Sequence, residues 1–130
     1  MITPGKLDLV VQRWTPFVFA IDFPGFDFGA ATFALHARLY RDAPGSPQIA
    51  LSNAASNAEG VSCTVSTVGG IPTSRVQIRI NETTAEAVLL NAGKTGADVV
   101  LKQDLHITGG GLPKTRWLEG DLIIRAGATQ

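Results

Sequence analysis

Cysteine, net charge and long apolar runs are what this sequence has least of. It contains one cysteine, Cys63, so no disulfide can form within the chain and a cysteine-based metal site is excluded. Lys plus Arg number 11, Asp plus Glu also number 11, and the formal net charge is zero. A neutral chain gives no electrostatic reason to expect nucleic acid or an anionic membrane as a partner. A low surface charge favours association between copies, because little long-range repulsion keeps them apart.

Signals for secretion and membrane insertion are also missing from the pattern. The first residues, MITPGKLDLVVQRW, lack the apolar core and the cleavage site of a signal peptide. No apolar run approaches the length that crosses a bilayer. We therefore expect a protein made in the cytoplasm, with no membrane as partner. A length of 130 residues, with 45% apolar and 17% charged residues, predicts a single globular domain over residues 1–130.

An alternation of apolar and polar residues, with a period of two, is the dominant pattern of the sequence. The clearest case is SRVQIRIN, where Val76, Ile78 and Ile80 share one face, and such segments predict about seven to nine short strands. The period changes only in TTAEAVLLNAG, where Thr83 and Glu86 have the spacing of a capping box and Gly93 is a suitable helix stop. This order predicts an all-β fold, an antiparallel immunoglobulin-like β-sandwich with one short helix between late strands.

Residues that could carry out chemistry are few and scattered along the chain. His36 and His106 occupy outward positions of predicted strands, and zinc would need three or four converging ligands. Cys63 lies on the apolar face of its strand, where a small buried side chain is the better interpretation than a nucleophile. We predict that the protein is not an enzyme and has no catalytic residues, no metal site and no cofactor.

Exposed aromatic residues are the most suggestive feature. Trp14 and Trp117 both fall at predicted strand starts, off the main inward register. Each could cap the end of the sandwich or anchor a partner, since tryptophan is enriched at the centres of interfaces. Arg38 and Tyr40 lie in a row of outward-facing side chains that carries little charge. These four residues are the predicted interface candidates.

Several segments of the chain, taken in order, form a recognisable pattern. They are FGAATF from Phe28 to Phe33, followed by Arg38 and DAPG at 42–45; the strand and helix at 76–90; DLHIT at 104–108; and WLEGDL at 117–122, with Thr129. In these segments, over residues 12–129, the chain is similar to the small β-sandwich at the N-terminus of baseplate upper proteins of tailed bacteriophages, and to short tail proteins of prophages. The chain departs from the family pattern where a tyrosine usually precedes the Asp-Leu pair.

The resemblance implies a structural virion protein, an assembly or adaptor module in a tail or baseplate that links to fibres or receptor-binding proteins. Its partners would be other tail or baseplate proteins and copies of itself in a symmetric ring. The protein would be made in the cytoplasm of a bacterial host. The contacts would use an apolar or aromatic patch and exposed strand edges. Two alternatives remain open: a carbohydrate-binding β-sandwich module, which the exposed aromatics suggest, and a head decoration or connector protein.

The closing strand adds two expectations of its own. Gly120 at its middle predicts a β-bulge or a close approach of another backbone segment. A final strand near a chain end is also well placed to meet a neighbouring subunit.

Overall fold

The computed structural model describes residues 4–92, 94 and 96–127, and for residues 90–92 it describes the backbone alone. This part of the chain contains nine strands and one helix. They are β1 (Gly5–Lys6), β2 (Leu9–Gln12), β3 (Phe17–Pro24), β4 (Thr32–Arg38), β5 (Ile49–Ser52), β6 (Gly60–Val68), β7 (Ile71–Ile80), α1 (Glu82–Ala92), β8 (Val99–Gly109) and β9 (Leu112–Arg125).

The strands form two sheets. The larger sheet has the order β1-β9-β8-β4-β5, with β2 also pairing with β9, and the smaller sheet has the order β3-β7-β6. The predicted all-β sandwich with one short helix between late strands is confirmed. The pairing is antiparallel except where β1 and β2 run parallel to β9. Alternation along a strand predicts which face is buried but not which strand lies beside it, so the sequence did not indicate this parallel edge.

The apolar faces of the two sheets form the core. Val76, Ile78 and Ile80 of β7 are fully buried, as their alternation predicted. Facing them are the inward side chains of β4, β8 and β9, among them Leu35, Leu101, Leu105, Leu122 and Ile124. Because both sheets bury alternate residues, the remaining positions of each strand face outward and are available for surface contacts.

Helix α1 connects β7 of the smaller sheet to β8 of the larger one. The carbonyl of Asn81 accepts hydrogen bonds from the N–H groups of Thr84 and Ala85, so Asn81 is the N-cap. The capping box predicted at Thr83 is therefore wrong by two positions, because asparagine is an equally good cap. Ala85, Val88 and Leu89 are buried against the core as the apolar stripe predicted. The predicted stop at Gly93, and Thr129 of the resemblance, lie outside the described residues.

The closing strand β9 is an inner strand over its second half. It has β8 on one side, and on the other it pairs with β1 at Leu118–Glu119 and with β2 at Leu122–Arg125. The expectation that this strand meets a neighbouring subunit is thus restricted to residues 112–117. The close approach predicted at Gly120 is confirmed: a Cβ placed there would lie 2.1 Å from the carbonyl oxygen of Leu7.

Candidate functional site

Trp117 is a packed residue rather than a projecting one. Leu105 pairs with Leu118 and His106 with Arg116, which leaves Trp117 as the extra residue of a β-bulge in the middle of β9. The bulge shifts the alternation, so Trp117 turns towards the core although the sequence placed it off the inward register. The predicted position at a strand start is therefore wrong.

Three phenylalanines surround the indole of Trp117 at one end of the sandwich. Its ring centroid lies 5.5 Å from that of Phe23, 5.0 Å from Phe26 and 5.6 Å from Phe28, all in edge-to-face geometry. This geometry is a favourable one for aromatic pairs. The indole N–H is buried and has no acceptor among the described residues. Trp117 thus covers the end of the sandwich in the isolated chain, and its role as an interface anchor stays a prediction.

Trp14 lies far from Trp117, in the turn between β2 and β3, with a φ of 62°. The guanidinium of Arg13 stacks over its ring at 4.0 Å, and the same guanidinium makes a two-bond ion pair with Glu86 of α1. Trp14 precedes the start of β3, whereas Trp117 contacts Phe23 near the end of that strand. The two tryptophans therefore do not share one surface patch.

Arg38 and Tyr40 are brought together on the outer face of the larger sheet. They line a groove of about 310 Å³, here called the polar groove, whose walls are His36, Arg38, Tyr40, Arg41, Asp42, Lys102, Gln103, Asp104, His106, Arg116 and Glu119. The strand register explains why these polar side chains converge, since β4, β8 and β9 place their outward residues opposite one another. His36 faces Asp104, and Asp104 faces Glu119.

Ion pairs connect most charges of the polar groove. The carboxylate of Glu119 lies 2.6 Å from Lys6 Nζ, 3.5 Å from Arg116 Nη1 and 3.7 Å from Arg41 Nη2, and Arg116 Nε lies 3.2 Å from Asp104. The hydrogen bond from Lys6 is the main cause that lowers the pKa of Glu119, against an opposing effect of burial. A general acid at neutral pH needs a raised pKa. This arrangement favours contact with a polar partner over proton transfer.

The two sequence-predicted residues in the groove have different settings. Arg38 donates hydrogen bonds to the carbonyls of Ala43, at 3.0 Å, and Gly45, at 2.6 Å, so it fixes the loop between β4 and β5. Tyr40 lies in that loop and is 57% exposed. Tyr40 is therefore the residue of the pair that is free to contact a partner.

Metal and thiol chemistry have little geometric basis in the described residues. Within 4–92, 94 and 96–127 no three His, Cys, Asp or Glu side chains are close enough together to hold a metal ion. Cys63 is half-buried, and burial is the main cause that raises the pKa of its thiol. A thiol with a raised pKa is a weak nucleophile at neutral pH.

The edge of the smaller sheet formed by residues 63–68 of β6, here called the β6 edge, was missed from the sequence. The hairpin of β6 and β7 turns at Gly69 and Gly70, and its side chains Val68 and Ile71 are 65% and 52% exposed. No charged residue occurs between positions 60 and 74. Natural edge strands usually carry charges, prolines or bulges that prevent pairing with other chains. This charge-free run was the available signal.

Comparison with known proteins adds no family assignment. No protein-family model matches the chain, and no curated protein matches it. In the described part of the chain, no helix combines the length and the apolarity needed to cross a membrane.

Proposed function

We propose that this chain is a non-enzymatic structural protein of a tailed phage or prophage, an assembly or adaptor module in the tail or baseplate. The observation that carries the proposal is the β6 edge, which leaves backbone hydrogen-bonding groups and apolar side chains such as Val68 exposed on a neutral protein. A strand edge of this kind is a template for pairing with another chain. A module that joins subunits needs such a surface, whereas a self-contained enzyme or carrier does not.

The sequence resemblance supports the same proposal. The family pattern contains a strand followed directly by a helix, and here β7 ends at Ile80 and α1 begins at Glu82. The closing Trp-Leu-Glu-Gly segment includes Gly120, at the close approach to Leu7. Both features are properties of the fold, so they support the family's architecture. The position of the protein in the virion has to be determined by experiment.

The polar groove is the second surface through which a partner could bind. Its charged groups are largely paired with one another. Contact with a protein surface that has matching polar groups would therefore cost little free energy. In the proposed adaptor, this face of the larger sheet would meet a fibre or receptor-binding protein while the β6 edge meets the assembly.

Quantitative mass spectrometry of purified tailed particles from the encoding phage or strain tests this proposal. The chain should be present at a few to a few dozen copies per particle, counted against the major capsid protein, as expected for a ring component. Hundreds of copies would place it on the head surface or in the tail tube instead. Absence from the particles would contradict a virion role.

One observation favours the carbohydrate-binding alternative. Tyr40, 57% exposed, borders a groove lined by donors and acceptors, a combination that suits a sugar ring. Trp117 no longer supports this alternative, because its ring packs against three phenylalanines. Titration with host polysaccharide fragments, compared between the wild type and Tyr40→Ala, discriminates: saccharide binding that the substitution abolishes would favour the sugar-binding module.

A further inference from the structure

We propose that the β6 edge pairs with the β6 edge of a second copy of this chain, antiparallel and about a two-fold axis, so that two smaller sheets become one continuous sheet. The inference rests on the proposed assembly function and names the first partner of its exposed edge. Three observations carry it: the direction of the backbone groups, the lack of charge, and the protection of the other edges.

The backbone groups of alternate β6 residues point away from β7. The N–H of Ala54 donates to the carbonyl of Val61 at 3.0 Å, so the backbone of Val61 faces outward from the smaller sheet. Direction alternates along a strand, which places the N–H and C=O groups of Cys63, Val65 and Thr67 on the same open side. Among the described residues these groups have no hydrogen-bond partner.

A two-fold axis at Val65 satisfies all of these groups at once. Val65 then lies opposite Val65 of the second copy, and Cys63 lies opposite Thr67. Each of these is a hydrogen-bonded pair of an antiparallel ladder, so the contact forms about six backbone hydrogen bonds. The side chains also match, because β-branched residues stabilise each other across strands and Thr64 meets Ser66 on the outer face.

The lack of charge along β6 allows a second copy of this chain to be the partner. Identical strands bring identical charges together, so self-pairing is disfavoured wherever a strand carries them. From 60 to 74 the sequence is GVSCTVSTVGGIPTS, without a single charged residue. The formal net charge of zero removes long-range repulsion between whole copies as well. Strand β6 itself therefore carries no charge that repels its own copy, and a charge that acts on it from another segment is the carboxylate of Asp27, near Cys63.

The other strand edges have features that oppose such pairing. Strand β3 follows Pro16, ends at Pro24 and carries Asp22, whereas β5 has only four residues. At the remaining edge, β1 and β2 are short and are separated at Leu7–Asp8. Proline, charge and short length are the usual means by which edges avoid association. The β6 edge has none of the three.

Disulfide trapping tests the register. In a Cys63→Ser background, Val65→Cys places two thiols in a directly opposed pair, with Cα atoms about 5.5 Å apart, within the range that a disulfide bridges. Mild oxidation of the purified protein should give a covalent dimer on a non-reducing gel. The matched control is Ser66→Cys in the same background. Its two thiols lie on the other face of the sheet from position 65, and their Cα atoms are more than about 7 Å apart. It should stay monomeric.

A proline variant tests whether the backbone groups carry the contact. Thr67→Pro removes an N–H that points away from β7, so it breaks no hydrogen bond within the chain, and edge strands tolerate proline at such positions. Sedimentation should show a concentration-dependent dimer for the wild type, and a dissociation constant at least about tenfold higher for Thr67→Pro. Its circular dichroism spectrum and cooperative unfolding should match the wild type.

The outcomes separate this inference from the proposed function. A wild type that stays monomeric at high concentration, or equal trapping of Ser66→Cys and Val65→Cys, would overturn the two-fold pairing even if the chain is present in particles. Trapping of Val65→Cys alone, together with weakened association of Thr67→Pro, would support the pairing even if the chain is absent from particles.

Discussion

Replacing Gly120 by alanine should destabilise the protein, although the glycine adopts a backbone conformation open to any residue. Its new Cβ would lie 2.1 Å from the carbonyl oxygen of Leu7 and 2.8 Å from Oδ1 of Asp8. Real Cβ atoms do not approach backbone this closely, so the chain between β1 and β2 must move away. The substitution therefore tests how tightly that edge is attached to β9.

Three hydrogen bonds depend on the position of this segment. Gln103 Nε2 donates to the Leu7 carbonyl at 2.7 Å, the N–H of Asp121 donates to Asp8 Oδ1 at 2.9 Å, and the N–H of Leu7 donates to the carbonyl of Glu119 at 2.9 Å. Each contributes about 1 kcal/mol, and Gln103, only 4% exposed, would lose its partner inside the core at an added cost of about 1–3 kcal/mol.

We therefore expect Gly120→Ala to lower the free energy of unfolding by about 3–5 kcal/mol, after a gain of about 0.4–1 kcal/mol from the stiffer unfolded chain. Urea unfolding followed by circular dichroism measures this change. Gly127→Ala is the matched control, since its Cβ would lie 3.8 Å from its nearest neighbour and should cost about nothing. Equal stability of the two variants would refute the argument.

Two further predictions concern Trp117 and the ion pair of α1. Trp117→Ala should lower the free energy of unfolding by about 2–4 kcal/mol through lost packing, whereas Trp117→Phe should lower it by less than about 1 kcal/mol, because it also removes a buried N–H without an acceptor. Equal losses for the two variants in urea unfolding would show that the indole N–H is used. Arg13 lowers the pKa of Glu86 mainly through their hydrogen bond, so the pair stabilises the fold above the unfolded pKa of about 4.3 and stops doing so as the pH falls through the lower folded pKa. The melting temperature of Glu86→Gln should therefore be below that of the wild type at pH 7 and should converge with it at about pH 2, and a constant difference would contradict the pairing.

The fold was predictable from the sequence to the extent that local pattern determines it. The alternation in β7 correctly predicted Val76, Ile78 and Ile80 as core, and the change of period correctly predicted α1. Pairing across the sheet was not predictable, because the parallel contact of β2 with β9 joins residues more than a hundred positions apart and no local signal encodes it.

The candidate site was less predictable than the fold. The β-bulge turned Trp117 inward, and a single inserted residue of this kind leaves no mark in the hydrophobic pattern. Arg38 and Tyr40 were correctly placed on an outward face, but their convergence with Asp104, Arg116 and Glu119 depends on the register of three strands. The β6 edge could have been found, since a run of 60–74 without charge is visible in the sequence.

Counting copies of the chain in tailed particles is the sharpest test of assembly through the β6 edge. Particles would be produced with either the wild type or Thr67→Pro, purified, and their copies of the chain counted by quantitative mass spectrometry. We expect the wild type at a few to a few dozen copies per particle. We expect the Thr67→Pro protein to be folded but strongly depleted from particles, because its β6 edge is blocked. Incorporation of both at equal copy number, or the absence of both, would contradict assembly through this edge.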